Sequence, residues 1–256
     1  MKADLHINTF MRNGITCLGD AYVNSPFKLM NITEDKTLNQ LHLIVMSSSP
    51  GVLDNDAYDI KIKVVDDGVL QLHTQSYQRL FNMQNGAIQN MEVTIGKGSS
   101  FIFLPHPAVP HEQSIFNAKN TFYLQDDSSL VWGEILTCGR KLNGEVFQFS
   151  TYHSTTDIYR NGQLIIKENL FIQPAIVDPS LLGQMEGYTH QASMIIIKNK
   201  AAVNSRKESI YNYLSLIEDI SFGVSATPSN GLIVRVLGYK AEQLHNCLKH
   251  ISTLIQ

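Results

Sequence analysis

Ile62-Lys63-Val64-Val65, Asp66-Asp67-Gly68, Val69-Leu70-Gln71-Leu72 reads as a strand, a tight turn and a second strand, and the phrase returns three times. The next copy is Val93-Thr94-Ile95, Gly96-Lys97-Gly98, Ser99-Ser100-Phe101-Ile102-Phe103. Then come Phe122-Tyr123-Leu124-Gln125, Asp126-Asp127-Ser128, Ser129-Leu130-Val131-Trp132, and finally Asp157-Ile158-Tyr159, Arg160-Asn161-Gly162, Gln163-Leu164-Ile165-Ile166. The turns begin at residues 66, 96, 126 and 160, steps of 30, 30 and 34. A period of that size marks stacked units, none of which buries its apolar face alone. Each unit reads as a β-hairpin. The predicted fold is therefore mainly β: a layered, solenoid-like stack of β-hairpins with a small C-terminal α+β cap carrying two helices.

Outward from the repeat, alternation with period 2 runs to about residue 175, with Ile62 and Val64 facing one way and Lys61 and Lys63 the other. One-sided alternation implies sheets with a wet face. Asn13-Gly14 carries the strongest short hairpin signal and opens the chain as a degenerate copy of the repeat. Three prolines in Leu104-Pro105-His106-Pro107-Ala108-Val109-Pro110 interrupt a strand, so this stretch is expected to leave the sheet or form an exposed edge. After Pro179 the pattern changes. Ala192–Lys198 reads as a strand, Ser205–Glu218 as a helix, Phe222–Thr227 and Leu232–Leu237 as a hairpin. Ala241, Leu244, Leu248 and Ile251 form the apolar stripe of a last helix. The division expected is a hairpin-repeat body over 1–180 and an α+β cap over 181–256, ordered like part of a split βαβ unit.

With 43% apolar and 17% charged residues the chain can bury a sizeable core. A net charge of -3 with no basic cluster argues against nucleic acid, which is bound by neutralising phosphates. No apolar run is long enough to span a bilayer, and the N-terminus lacks a signal-peptide pattern. Three widely spaced cysteines, Cys17, Cys138 and Cys247, fit free thiols in a reducing compartment. A cytoplasmic protein is expected.

Sites that look like familiar chemistry fail on detail. Gly96-Lys97-Gly98-Ser99-Ser100 suggests a phosphate loop, but Met91 stands where the first glycine belongs and a strand follows. Asp54-Asn55-Asp56 with Asp59 suggests a calcium loop, yet its sixth and twelfth positions are Asp59 and Val65 instead of Gly and Glu. The nine histidines contain no HxxxH or HExxH pair; His106 and His111 are separated by proline and His190 stands alone. No nucleophile motif or acid–base dyad is present, so no enzyme is expected. Glu134 and Glu145 flank Cys138-Gly139-Arg140, and either carboxylate can pair with Arg140.

A series of short segments carries a resemblance. They are Pro26-Phe27-Lys28-Leu29-Met30, Ser49-Pro50-Gly51 with Asp56, Thr74-Gln75-Ser76, and Phe103-Leu104-Pro105-His106-Pro107. Gly133-Glu134-Ile135, Gly139-Arg140, Gly144-Glu145-Val146-Phe147 and Glu186-Gly187-Tyr188-Thr189-His190 complete it. In this order and spacing, from about residue 24 to 250, the chain resembles the urease accessory protein UreD family, called UreH in some bacteria. It departs at Pro50-Gly51 and Asn55-Asp56, where many members have a paired glycine and a Gly-Asp. The resemblance implies a β-rich scaffold of urease maturation. Such a protein binds the urease apoprotein and UreF, through which the GTPase UreG joins, as a dimer of heterocomplexes. Nickel passes in transit through a water-filled passage, and no cofactor is held stably. Scattered carboxylates suit a path that must release its cargo better than a closed imidazole or thiolate site does. On that reading Asp56, Glu134 and Glu145 are the candidates that polarise the passage, and Arg140 orders a neighbouring carboxylate. Pro105–His111 and Gln173–Gln184 are the candidate partner surfaces. The competing expectations are a carbohydrate-processing β-solenoid, which needs export and paired carboxylates, and a purely structural one.

Overall fold

The computed structural model describes residues 1–198 and 203–255. Two sheets face each other. The first, sheet A, has seven strands in the order β14-β13-β11-β8-β5-β1-β2. These are β1 (Lys2–Arg12), β2 (Ile15–Val23), β5 (Ala57–Val64), β8 (Ala87–Ile95), β11 (Ile115–Leu124), β13 (Thr151–Arg160) and β14 (Gln163–Ile172). Sheet B runs β16-β17-β15-β12-β9-β6-β4-β3, with β7 and β10 beside the main path. Its members are β3 (Phe27–Asn31), β4 (Leu41–Ser47), β6 (Val69–Thr74), β7 (Gln78–Leu80), β9 (Ser100–Phe103), β10 (Ala108–Pro110), β12 (Ser129–Thr137), β15 (His190–Ile197), β16 (Ile220–Ala226) and β17 (Gly231–Gly238).

The layered, mainly β architecture with two helices is the one the repeat predicts, but the unit differs. In three of the four copies the strands flanking the turn lie in different sheets: β5 to β6, β8 to β9 and β11 to β12. Each copy is an arch that crosses the core. Successive copies therefore stack in parallel, Ile62 beside Val93 and Leu70 beside Phe101. Of the four copies, β13–β14 alone pairs antiparallel as a true hairpin, and β1–β2 at the start of the chain does the same. Backbone torsions give the reason. Both hairpins turn on consecutive left-handed residues, Asn13-Gly14 (φ 53° and 75°) and Asn161-Gly162 (φ 50° and 80°), the pairing that folds a strand back on itself. Each arch has one left-handed residue in its turn, Asp67, Gly98 or Asp127. The arches bond to one another: Asp67 N to Lys97 O at 2.8 Å, Gly98 N to Asp126 O at 3.0 Å, and Lys97 N to Asp66 Oδ1 at 2.9 Å.

Between the sheets lies an apolar layer in which Phe101, Phe103, Phe122 and Trp132 touch, with Phe122 and Trp132 ring centres 5.2 Å apart. A second layer, with Phe116, Tyr152 and Leu136, fills the other end. The strands β15, β17 and β16 extend sheet B through antiparallel pairing of β12 with β15. Helices α1 (Val203–Leu214) and α2 (Ala241–Leu254) pack on the outer face of that sheet, over Ile102, Val131, Ile135, Met194 and Val234. Strands covered on both sides read as continuous apolar runs, which accounts for Met194-Ile195-Ile196-Ile197.

The proline segment does not form an exposed edge. It leaves the main ladder after Phe103 and rejoins as β10, paired in parallel with β7 on one side and with β12, Ala108 to Leu136, on the other. The β6–β9–β12 ladder stops at Leu72, Phe103 and Trp132 and a second ladder starts at Gln78, Ala108 and Leu136. Pro105 and Pro107 supply no N–H to bridge the interval, so sheet B is split there.

Candidate functional site

The split opens into the sandwich. A cavity of about 160 Å³ runs from partly exposed Gln75, Ser76, Tyr77 and His106 inward to Asn120, Glu134 and Tyr152. A second cavity of about 450 Å³ lies where sheet A ends at β14 while sheet B continues into β15 and β17. Its outer wall includes Asn169, Gln184 and Arg235, the last ion-paired with Glu168 at 2.5 Å. Trp132, Glu134 and Tyr152 line both cavities.

Strand alternation puts Glu134 there. Leu130, Trp132, Glu134 and Leu136 point inward from β12, while Val131 and Ile135 meet the helices. Facing it from sheet A, the inward residues are small or polar: Ala118 and Asn120 on β11, Ser154 and Thr156 on β13, with Asn120 beside Thr156 and Ala118 beside Ser154 in register. Ser154 Oγ donates to Glu134 Oε1 at 2.6 Å and Thr156 Oγ1 to Oε2 at 3.5 Å. Asn120 Nδ2 donates to Thr156 Oγ1 at 3.2 Å, while its Oδ1 has no hydrogen-bond partner. A polar band thus crosses the sandwich between its two apolar layers. Burial pushes the Glu134 carboxyl above the usual carboxylate range, against the lowering effect of its hydroxyl donors. Tyr152 is likewise pushed up, first by burial and then by Glu134. Burial thus makes the Glu134 carboxyl easier to protonate than an exposed one.

The three carboxylates expected to act together are placed apart. Of the three, Glu134 alone lines these two cavities. Asp56, 2% exposed, accepts from Leu53 N at 2.8 Å, from the Tyr58 hydroxyl at 3.0 Å and from the chain's first amine at 2.8 Å. It closes the Leu53–Asp56 turn and ties β1 to β5. Glu145, 8% exposed, forms a two-point ion pair with Arg140 and accepts from Glu112 N. Hydrogen bonding to Arg140 holds it below the ordinary carboxylate range. Arg140 thus orders a neighbouring carboxylate, Glu145 of the two in question. Asn120, Tyr152, Ser154 and Thr156 escaped sequence reasoning. Their signal was parity: each is polar, or polar-tipped, at a strand position whose neighbours two residues away face the core.

Of the two candidate partner surfaces, the proline segment is mostly committed to the fold, with Leu104, Ala108 and His111 buried. The Gln173–Gln184 loop is different. Ile176, Leu181 and Leu182 are 75%, 55% and 90% exposed, beside the second cavity's wall at Pro179 and Gly183. The three cysteines are free. No helix among the described residues is long and apolar enough to cross a membrane.

The family model for the UreD urease accessory protein matches residues 1–256. A protein of Flavobacterium johnsoniae named urease accessory protein UreD is 50% identical over 249 residues, covering 97% of this chain and 90% of its own. Proteins of that name from Acetivibrio thermocellus and Actinobacillus pleuropneumoniae are 34% and 33% identical, covering 99% and 100% of this chain and 97% and 98% of theirs.

Proposed function

The chain belongs to the UreD family of urease accessory proteins, and from that premise we propose that it conveys nickel to the urease apoprotein through its two cavities. In this reading it is a scaffold without turnover of its own, working in the cytoplasm. It sits between the apoprotein and a UreF-like partner, and a UreG-like GTPase joins through that partner.

One observation carries the proposal: two cavities opening on different sides of the sandwich share the carboxyl of Glu134. An apolar wall alone offers a hydrated divalent cation nothing in exchange for lost water. Oxygen donors at Glu134 and Asn120 replace part of that hydration without the tight grip of imidazole or thiolate. Glu134 is the member of the predicted trio with this role; Asp56 and Glu145 serve by holding their turns. The exposed Ile176, Leu181 and Leu182 supply the apolar ground on which the UreF-like partner sits.

The test is urease activation in cells carrying the urease subunits and the other accessory proteins, with this chain as wild type, Glu134→Gln or Glu134→Leu. Nickel per urease active site and activity should fall about tenfold or more with Leu and less with Gln, while partner co-purification holds. Full nickel content with Glu134→Leu would refute the role given to this carboxyl.

A further inference from the structure

A group of histidines gathers where the first cavity meets helix α2. His106, in the split between β9 and β10, lies at the rim of the first cavity. Its ring centre is 4.5 Å from that of His245 on α2. His245 is 1% exposed, and neither ring nitrogen has a hydrogen bond of full geometry, although the Leu104 carbonyl lies close by. A buried imidazole left with one imperfect contact at most is costly and calls for a reason. His106 is oriented from behind: Thr74 Oγ1 holds its Nδ1 at 2.9 Å and accepts its backbone N–H at 2.8 Å. A ring nitrogen fixed by an oxygen leaves the other, Nε2, as the open donor, the arrangement that metal-binding histidines use.

Glu242 lies three residues before His245 on α2, hence on the same face. The spacing Glu-x-x-His is one by which a helix presents a carboxylate and an imidazole to a shared metal ion. Here Glu242 accepts from the Tyr77 hydroxyl at 3.2 Å and interacts electrostatically with both His106 and His245. The other charged or titratable groups near the two rings are exposed Lys249, one turn further along α2, and half-buried His73. Lys249 opposes a cation and is free to extend into solvent.

We propose that His106, His245 and Glu242 form a binding site for one borderline divalent cation, of the nickel or zinc class, at the rim of the first cavity. Two neutral imidazoles and one carboxylate are the donor set such ions prefer over calcium or magnesium. Glu242 completes the set by turning from Tyr77 toward the rings. The site lies at the mouth of the proposed passage, but its evidence is local to the rim, and its readout is binding by the chain itself, with no urease present.

The experiment is equilibrium dialysis of the full chain against nickel chloride, with cobalt(II) absorption as a report of coordination. His106→Asn and His245→Asn should each weaken one equivalent at least about tenfold, with loss of the cobalt bands. Glu242→Gln should weaken it several-fold, and Lys249→Gln should tighten it. Glu242 and Lys249 are exposed, so those two variants decide the matter if His245→Asn fails to fold. Among the described residues, the one His/Cys/Asp/Glu group whose donor atoms lie within 4.8 Å of one another is on sheet A, Asp4, His6 and Asp59, although Asp59 already pairs with Lys61 at 2.9 Å. The His106 site reaches such spacing only once Glu242 turns. Binding lost in His6→Asn and kept in His106→Asn and Glu242→Gln would overturn the proposal, as would wild-type binding in every variant. Failure of urease activation with this binding intact would instead count against the maturation role.

Discussion

Inward polar side chains destabilise a sandwich unless they find partners, and Glu134, Ser154, Thr156 and the Nδ2 of Asn120 find them in one another. Buried histidines are a second polar cost, and theirs depends on pH. Burial carries His190 and His245 down to about 4 from an ordinary 6.5, because the folded interior disfavours the imidazolium. Below pH 6.5 the unfolded chain takes up protons that the folded chain refuses, so stability falls with pH until about 4, where the folded chain accepts them too. Each histidine accounts for about 3 kcal/mol across that window. Thermal melts between pH 7 and 4 should show the decline, and His190→Asn and His245→Asn should each flatten it; an unchanged slope in both would contradict this. Glycine positions separate crowding from torsion. A Cβ on Gly96 would lie 2.4 Å from Asp66 Oδ1 in the next arch, whereas Gly162 has φ 80° and no neighbour within 4 Å. Gly96→Ala should cost about 1–3 kcal/mol and Gly162→Ala about 1 kcal/mol, measured by urea unfolding. Of this scale the sequence displayed the polar residues and their parity, but not which faced each other. That depended on a register between strands of different sheets.

At the scale of elements, the repeat announced strand–turn–strand units and their period, and it concealed where each second strand went. Arch and hairpin share the same apolar flanks. What separates them is the pair Asn-Gly, present at Asn13-Gly14 and Asn161-Gly162 and absent from the turns beginning at 66, 96 and 126. A turn with a single left-handed residue leaves the second strand pointing across the core instead of back along the first. The C-terminal elements were more legible, since their helix periodicity and turn prolines are local signals. That β15 would continue sheet B rather than close a separate unit was not, because antiparallel pairing with β12 leaves no trace in either segment alone. The split in sheet B is a proline effect. Pro105→Ala with Pro107→Ala restores two backbone donors, and the β9 ladder should lengthen across the gap. Hydrogen exchange at residues 104–108 should slow and the first cavity should narrow; exchange as fast as in the wild type would show that the side chains, not the prolines, hold the split open.

For the whole molecule, the loop at Ile176, Leu181 and Leu182 is an exposed apolar patch. The isolated chain should be poorly soluble and should be rescued by co-expression with a UreF-like protein. Leu181→Ser with Leu182→Asn should raise soluble yield alone and lower co-purification of the partner, and equal yields in all four cultures would refute the assignment. The helices on the outer face of sheet B carry one more consequence. Parallel stacking lets each arch dock on the one made before it as the chain leaves the ribosome. Yet Ile102, Val131 and Ile135, set in place by the middle of synthesis, stay bare until α2 at Ala241–Leu254 arrives. While the roughly one hundred residues between Ile135 and α2 are being made, the nascent protein presents a wide greasy flank that α2 later covers. Shortening that segment by two turns should therefore leave the arches intact and send the product to aggregates or proteases.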